Sequence, residues 1–195
     1  SIASDWPHPQ INPERWYLRG DGGLTPAMPA AGEASRVTIQ QPLNGICSSS
    51  SAQWTAGALG YVPLPCFNDD NRLNELPVFE LTYTTTPMDK DYYFNGPIQA
   101  DLFASSTSAD LAVNVRVTDV SPDGASKELT NGILTASMRK LDESRSLYIR
   151  GQMLRPWHPF TEDSVEPVGA GNIVPLALEV FPTSAVIQKG HSLRV

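Results

Sequence analysis

The sequence predicts an all-β fold, a sandwich or jelly roll reached through a long irregular connector. Three observations carry that expectation. The 195 residues include 17 Pro and 14 Gly, and only 18% are charged. Helical apolar spacing is nearly absent, while period-two alternation recurs in the second half. Turn dipeptides punctuate that half at regular intervals, as the corners of a sandwich require.

Residues 1–77 read as the connector, with Trp6, Trp16, Tyr17 and Trp54 scattered among Pro, Gly and Ser rather than set in periodic runs. Aromatics so placed pin a wandering segment onto a neighbouring surface, because each buries a large apolar area. Two short strands are expected there, Arg15–Arg19 and Arg36–Gln40, with turn chemistry at Gly20-Asp-Gly-Gly23. Residues 78–195 read as the sandwich, with strands at Val78–Thr85, Ile98–Ser105, Leu111–Val120, Gly132–Arg139, Ile173–Phe181 and His191–Val195. In the third of these Leu111, Val113, Val115 and Val117 face one way, and Ala112, Asn114 and Arg116 the other; Leu176, Leu178 and Val180 repeat the pattern. Turns are expected at Asn95-Gly-Pro97, Ser121-Pro-Asp-Gly124 and Asn131-Gly132. Only Met138–Tyr148 is weakly helical in pattern.

A net charge of −7 with 14 scattered Lys and Arg excludes nucleic acid as an expected partner, since phosphate binding needs clustered cations. No apolar run is long enough to span a bilayer and no basic amphipathic helix is visible, so no membrane partner is expected. Homo-oligomerisation and compartment are left open.

Six pieces in register resemble the C-terminal domain of the X-prolyl dipeptidyl-peptidase, cocaine esterase and α-amino-acid ester hydrolase family. They are Phe79-Glu-Leu-Thr-Tyr-Thr-Thr-Thr-Pro87, Phe94-Asn-Gly-Pro97 leading into Ala100–Ser106, Val117–Gly124, Gly132–Arg139, Arg155-Pro-Trp-His-Pro-Phe-Thr161 and Phe181–Arg194. The resemblance implies a galactose-binding-like jelly roll packed on an α/β-hydrolase domain that carries the Ser, Asp and His of a serine hydrolase. The family's catalytic residues have no counterparts in this sequence, so the chain is expected to be inactive alone, with that hydrolase domain as its partner. The resemblance also implies fragment ends. Its last strand is cut at Val195, which is expected to leave backbone groups to be paired from outside these residues or exposed at an edge.

Candidate chemistry is sparse. Gly190-His-Ser-Leu-Arg194 approaches the nucleophile elbow G-x-S-x-G, but Arg194 replaces the second glycine and no helix follows, so a tight turn at Lys189-Gly190 is the better reading. Of the three histidines, His8 and His158 are flanked by prolines, which suits packing or solvent exposure, and His191 suits a hydrogen bond fixing its turn. Asp69, Asp70, Asp89 and Asp91 offer oxygen ligands without the spacing of a calcium loop, and no zinc spacing exists, so neither metal nor other cofactor is expected. Cys47 and Cys66 form a candidate disulfide in an oxidising compartment or two small apolar residues otherwise. Trp54, Trp157, His158 and Phe160 are the candidate contact residues. Trp157 suits a sugar-stacking platform of an independent carbohydrate-binding or adhesion module, or an interdomain contact; the resemblance favours the second.

Overall fold

A computed structural model of the chain describes residues 10–39, 56, 58, 70–72, 74–77 and 80–195. The fold is all-β, as expected, with nine strands and only short 3-10 turns among the described residues. The strands are β1 (Tyr17–Leu18), β2 (Leu24–Thr25), β3 (Tyr92–Ala104), β4 (Ala112–Val120), β5 (Ser126–Thr135), β6 (Leu147–Ile149), β7 (Gln152–Arg155), β8 (Val174–Ile187) and β9 (Ser192–Arg194). β1 pairs with β2, β3 with β8 and β6 with β7, while β4 lies between β5 and β9.

The chain divides into two compact units, each gathered from three stretches of sequence. The first comprises Ser1–Pro13, Tyr93–Arg116 and Thr130–Ala185, and the second Glu14–Tyr92, Val117–Leu129 and Val186–Val195. The first unit has an apolar core of Val115, Leu134, Ala136, Val168, Val174, Leu176, Leu178 and Val180. The alternation of Leu176, Leu178 and Val180 places all three inward from β8, each worth about 1.5–3 kcal/mol relative to exposure. Gly132 lies inside β5 rather than in the expected turn, because the β8 backbone at Glu179 and Val180 passes directly over its Cα. Asn95-Gly-Pro97 likewise runs within β3: Gly96 takes φ +130°, a value that permits an irregularity inside the strand, and both Gly96 and Pro97 are buried.

The hairpin of β6 and β7 was not expected. Arg150 and Gly151 turn it with φ values of +50° and +77°, the left-handed pair that a two-residue hairpin needs. Nor is Met138–Tyr148 helical. The chain makes one 3-10 turn at Ala136–Met138 and then an irregular loop, in which Asp142 accepts from the Ser144 amide and hydroxyl. Asp110 ties this turn to the start of β4. The Ser137 hydroxyl, and then the amides of Leu111 at 2.8 Å and Ser137 at 3.0 Å, hold its carboxyl below the usual carboxylate range against the opposing effect of burial. A depressed acid contributes stability above its unfolded pKa and loses it as pH falls through the folded value. Asp110→Asn is therefore expected to lower stability at neutral pH, with the gap to wild type closing in acid; denaturant midpoints measured at pH 7 and pH 3 check this.

The second unit is held by polar pairing as much as by its apolar residues Leu24, Val117, Val120, Ile187 and Leu193. The turn expected at Gly20–Gly23 joins β1 to β2, a strand the sequence does not announce, and is closed by the Arg19 amide on the Gly23 carbonyl at 2.9 Å. Residues 36–39 form no strand, and Val37 and Ile39 are exposed. Val78–Thr85 is reduced in its described part to an extended segment: Thr84 bridges Gly23 on one side and Arg194 on the other. The backbone groups of Val195 are paired within the chain, its amide donating to Tyr83 at 2.9 Å and its carbonyl accepting from Tyr83 at 2.8 Å. Trp16 pins the early segment edge-on to Tyr92, whose hydroxyl donates to Glu14 at 2.9 Å and whose phenol burial pushes up to about 12.

Candidate functional site

The segment 155–161 of the first unit carries three of the four candidate contact residues and leads from β7 to a second 3-10 turn at Glu162–Ser164. Its prolines fix the backbone at two points, and Pro156 is fully buried. Trp157 is half-buried. Its amide donates to the Ser146 hydroxyl at 3.0 Å, its carbonyl accepts from the Asp142 amide at 2.9 Å, and the Arg145 guanidinium lies 4.0 Å from its ring centroid. The indole Nε1 is buried with no hydrogen-bond partner among the described residues.

His158 is buried, at 6% exposure, instead of facing solvent. Nδ1 lies 3.0 Å from the Lys140 carbonyl and Nε2 2.8 Å from the Ala177 carbonyl on β8, so the ring clamps the loop to the sheet. With both ring nitrogens facing carbonyl oxygens, it has no free nitrogen to act as a general base. Glu179 stands nearby on β8; burial raises its carboxyl, opposed by the charges of Arg155 and His158. Phe160 is 60% exposed, with its ring 5.6 Å from that of His158. Its φ is +53°, a left-handed conformation that a bulky residue adopts only under constraint. Thr161 and Ser164 then close a capping box, the Thr161 amide donating to the Ser164 hydroxyl at 3.0 Å and that hydroxyl to the Thr161 carbonyl at 2.7 Å.

Trp54, Cys47, Cys66, His8 and Asp69 lie outside the described residues. In the second unit, His191 meets half the geometry of a triad, its Nδ1 lying 2.8 Å from an Asp119 carboxylate oxygen on β4. No serine hydroxyl is bonded to its ring among the described residues, and Ser192 is buried in β9 opposite Val120. The pair ties β9 to β4. Gly190 makes the expected turn with φ +85°, and its amide donates to the Met88 carbonyl at 2.8 Å.

A concavity of about 260 Å³ in the same unit is lined by Trp16, Leu24, Thr25, Pro26, Thr85, Thr86, Pro87, Met88 and Asp89. Asp89 is the only titratable residue among the described lining residues, which offer no nucleophile paired with a base. No three His, Cys, Asp or Glu side chains converge as metal ligands would among the described residues. Asp70 is instead bonded by Arg72, and Asp91 accepts the Lys189 amide at 2.9 Å. No described helix is long and apolar enough to cross a membrane.

One residue cluster of the second unit gave no sequence signal. Glu75, 5% exposed in its side chain, pairs with Arg194 at 2.5 Å and accepts from the Ser126 hydroxyl. Ser126 is fully buried, lies 3.0 Å from the Thr118 hydroxyl, and accepts at its carbonyl from the Asn71 amide at 2.8 Å.

Known proteins place these observations. A family described as the X-Pro dipeptidyl-peptidase C-terminal non-catalytic domain matches residues 3–195. A Mycobacterium bovis protein assigned by name to the serine esterases is 28% identical over 193 residues, covering 99% of this chain and 29% of that protein. The cocaine esterase of a Rhodococcus species is 23% identical over 200 residues, covering 98% of this chain and 30% of that protein. Among solved structures, a CocE/NonD family hydrolase from Staphylococcus aureus covers the whole chain, and 30% of its own, with a TM-score of 0.69 at 17% identity. An α-amino acid ester hydrolase covers 93% of this chain, and 28% of its own, with a TM-score of 0.62 at 18% identity. These likenesses show a shared fold, and the chain spans under a third of the length of each relative. Matched over nearly its whole length, the chain belongs to the family of X-Pro dipeptidyl-peptidase C-terminal non-catalytic domains.

Proposed function

We propose that the chain serves as the non-catalytic sandwich of a serine hydrolase acting on esters or amides, packing on an α/β-hydrolase domain of the same polypeptide and helping to shape its substrate pocket. The carrying observation is the match of residues 3–195 to a non-catalytic family, in a chain that spans 29% and 30% of its esterase-named relatives. The described residues fit that role, since His158 has both nitrogens engaged and His191 lacks a serine. Substrate pockets commonly lie where domains meet, so a sandwich at such a junction acts on selectivity as well as stability. The stacking of Arg145 on Trp157 favours this reading over an independent carbohydrate-binding module, because one ring face is already covered.

The test is made on the polypeptide translated from the source gene, with and without these 195 residues. Deletion is expected to lower both the thermal midpoint of the hydrolase and its discrimination between ester and X-Pro amide substrates. Full retention of both would overturn the proposal. So would a source gene that encodes no hydrolase domain.

A further inference from the structure

Phe160 combines two unfavourable features. A non-glycine residue at φ +53° is strained, and here the residue is a phenylalanine whose ring is 60% exposed. Neither cost is returned by burial within its own unit, where the described ring contact is with His158 on one side. The surrounding loop is rigid. His158 is fixed by two carbonyl oxygens, Pro156 is fully buried, Trp157 is stacked by Arg145, and the capping box of Thr161 and Ser164 starts immediately after the ring. An exposed aromatic on a loop already held in one conformation is the arrangement of a binding anchor, because little backbone entropy remains to be lost on docking.

Resting on the function proposed above, we propose that Phe160 is the anchor by which this domain docks on the α/β-hydrolase domain of its own polypeptide. The occupant follows from the relatives, in which the matched region is 29% and 30% of the protein and belongs to a non-catalytic family; the remaining chain is the nearest large surface always present. The ring enters an apolar pocket of that domain, and the left-handed backbone at residue 160 aims it there.

The experiment places the photo-crosslinking residue benzoylphenylalanine at position 160 of the full polypeptide from the source gene and maps the products by mass spectrometry. Crosslinks to hydrolase-domain peptides are expected. Crosslinks confined to these 195 residues, or none, would overturn the anchor. In parallel, Phe160→Gly, which relieves the left-handed backbone, is expected to leave the thermal midpoint of the isolated chain unchanged or higher. In the full polypeptide it should lower the midpoint at which hydrolase activity is lost by several degrees. A fall of similar size in the isolated chain would make Phe160 a structural residue and refute the proposal. If the source gene encodes no hydrolase domain the functional reading itself fails; if it does and the crosslinks avoid that domain, only the anchor fails.

Discussion

Replacing Gly132 by alanine is expected to destabilise the first unit by roughly 3 kcal/mol or more, at the upper end of what overpacking costs. A Cβ at that position would overlap the Glu179 carbonyl oxygen and stand 2.8 Å from the Val180 Cα and 2.9 Å from the Glu179 carbonyl carbon. These are backbone atoms, so no side chain can rotate away. The strain can be relieved only by moving β5 from β8, which would break the 2.7 Å bond from the Thr130 hydroxyl to the Phe181 carbonyl and loosen contacts around Leu134, Leu178 and Val180. Urea unfolding of Gly132→Ala measures this. An unchanged midpoint would show that the two strands separate at no cost, contrary to the packing described. Gly151→Ala is the control: a Cβ there meets nothing within 4 Å, and only the φ of +77° opposes it.

Much of this architecture was legible in the sequence, and the reasons for the exceptions are physical. β4 and β8 could be read because one face of each is buried, which forces Val115, Val117, Leu176, Leu178 and Val180 into alternation. β5 starts six residues before the strand expected at Gly132; its first part, Ser126-Lys-Glu-Leu-Thr-Asn, buries Ser126 and Thr130 and so lacks an apolar stripe. Asn131-Gly132 reads as a turn because Asn-Gly is strong hairpin chemistry; a glycine required by a crossing backbone has the same local appearance. The β6–β7 hairpin was hidden because its turn, Arg150-Gly151, stands between short strands that bury little.

The candidate contact loop was legible as a unit but not in its division of labour. Two prolines and three rings in Arg155–Phe160 announced a fixed aromatic segment. Which ring would be buried depended on carbonyls at Lys140 and Ala177, 18 and 19 residues away, and these leave no local trace. The same holds for Glu75 and Arg194, separated by 119 positions. A charge pair at that distance is visible only once the chain has folded.

That pair supports the other large effect. Glu75→Ala is expected to destabilise the chain by about 3 kcal/mol, because removing one partner of a buried pair leaves the other uncompensated. The Glu75 side chain is 5% exposed and that of Arg194 is 23% exposed, so solvent screens the guanidinium in part and the cost lies at the low end of the range for buried pairs. The loss is not the ion pair alone. The Ser126 hydroxyl, in a fully buried residue, loses its acceptor, and among the described residues the Arg194 side chain keeps only the Thr84 hydroxyl at 2.8 Å. Glu75→Gln separates these contributions: its amide oxygen still accepts from Ser126 while the charge attraction to Arg194 is gone, so an intermediate loss is expected. Arg194→Met in the Glu75→Ala background removes the stranded cation and should recover part of the stability, as happens when both members of a buried pair become apolar. Denaturant midpoints of the four proteins decide the matter: equal losses in Glu75→Ala and Glu75→Gln would assign the whole effect to charge, and no loss in either would show that solvent already satisfies Arg194.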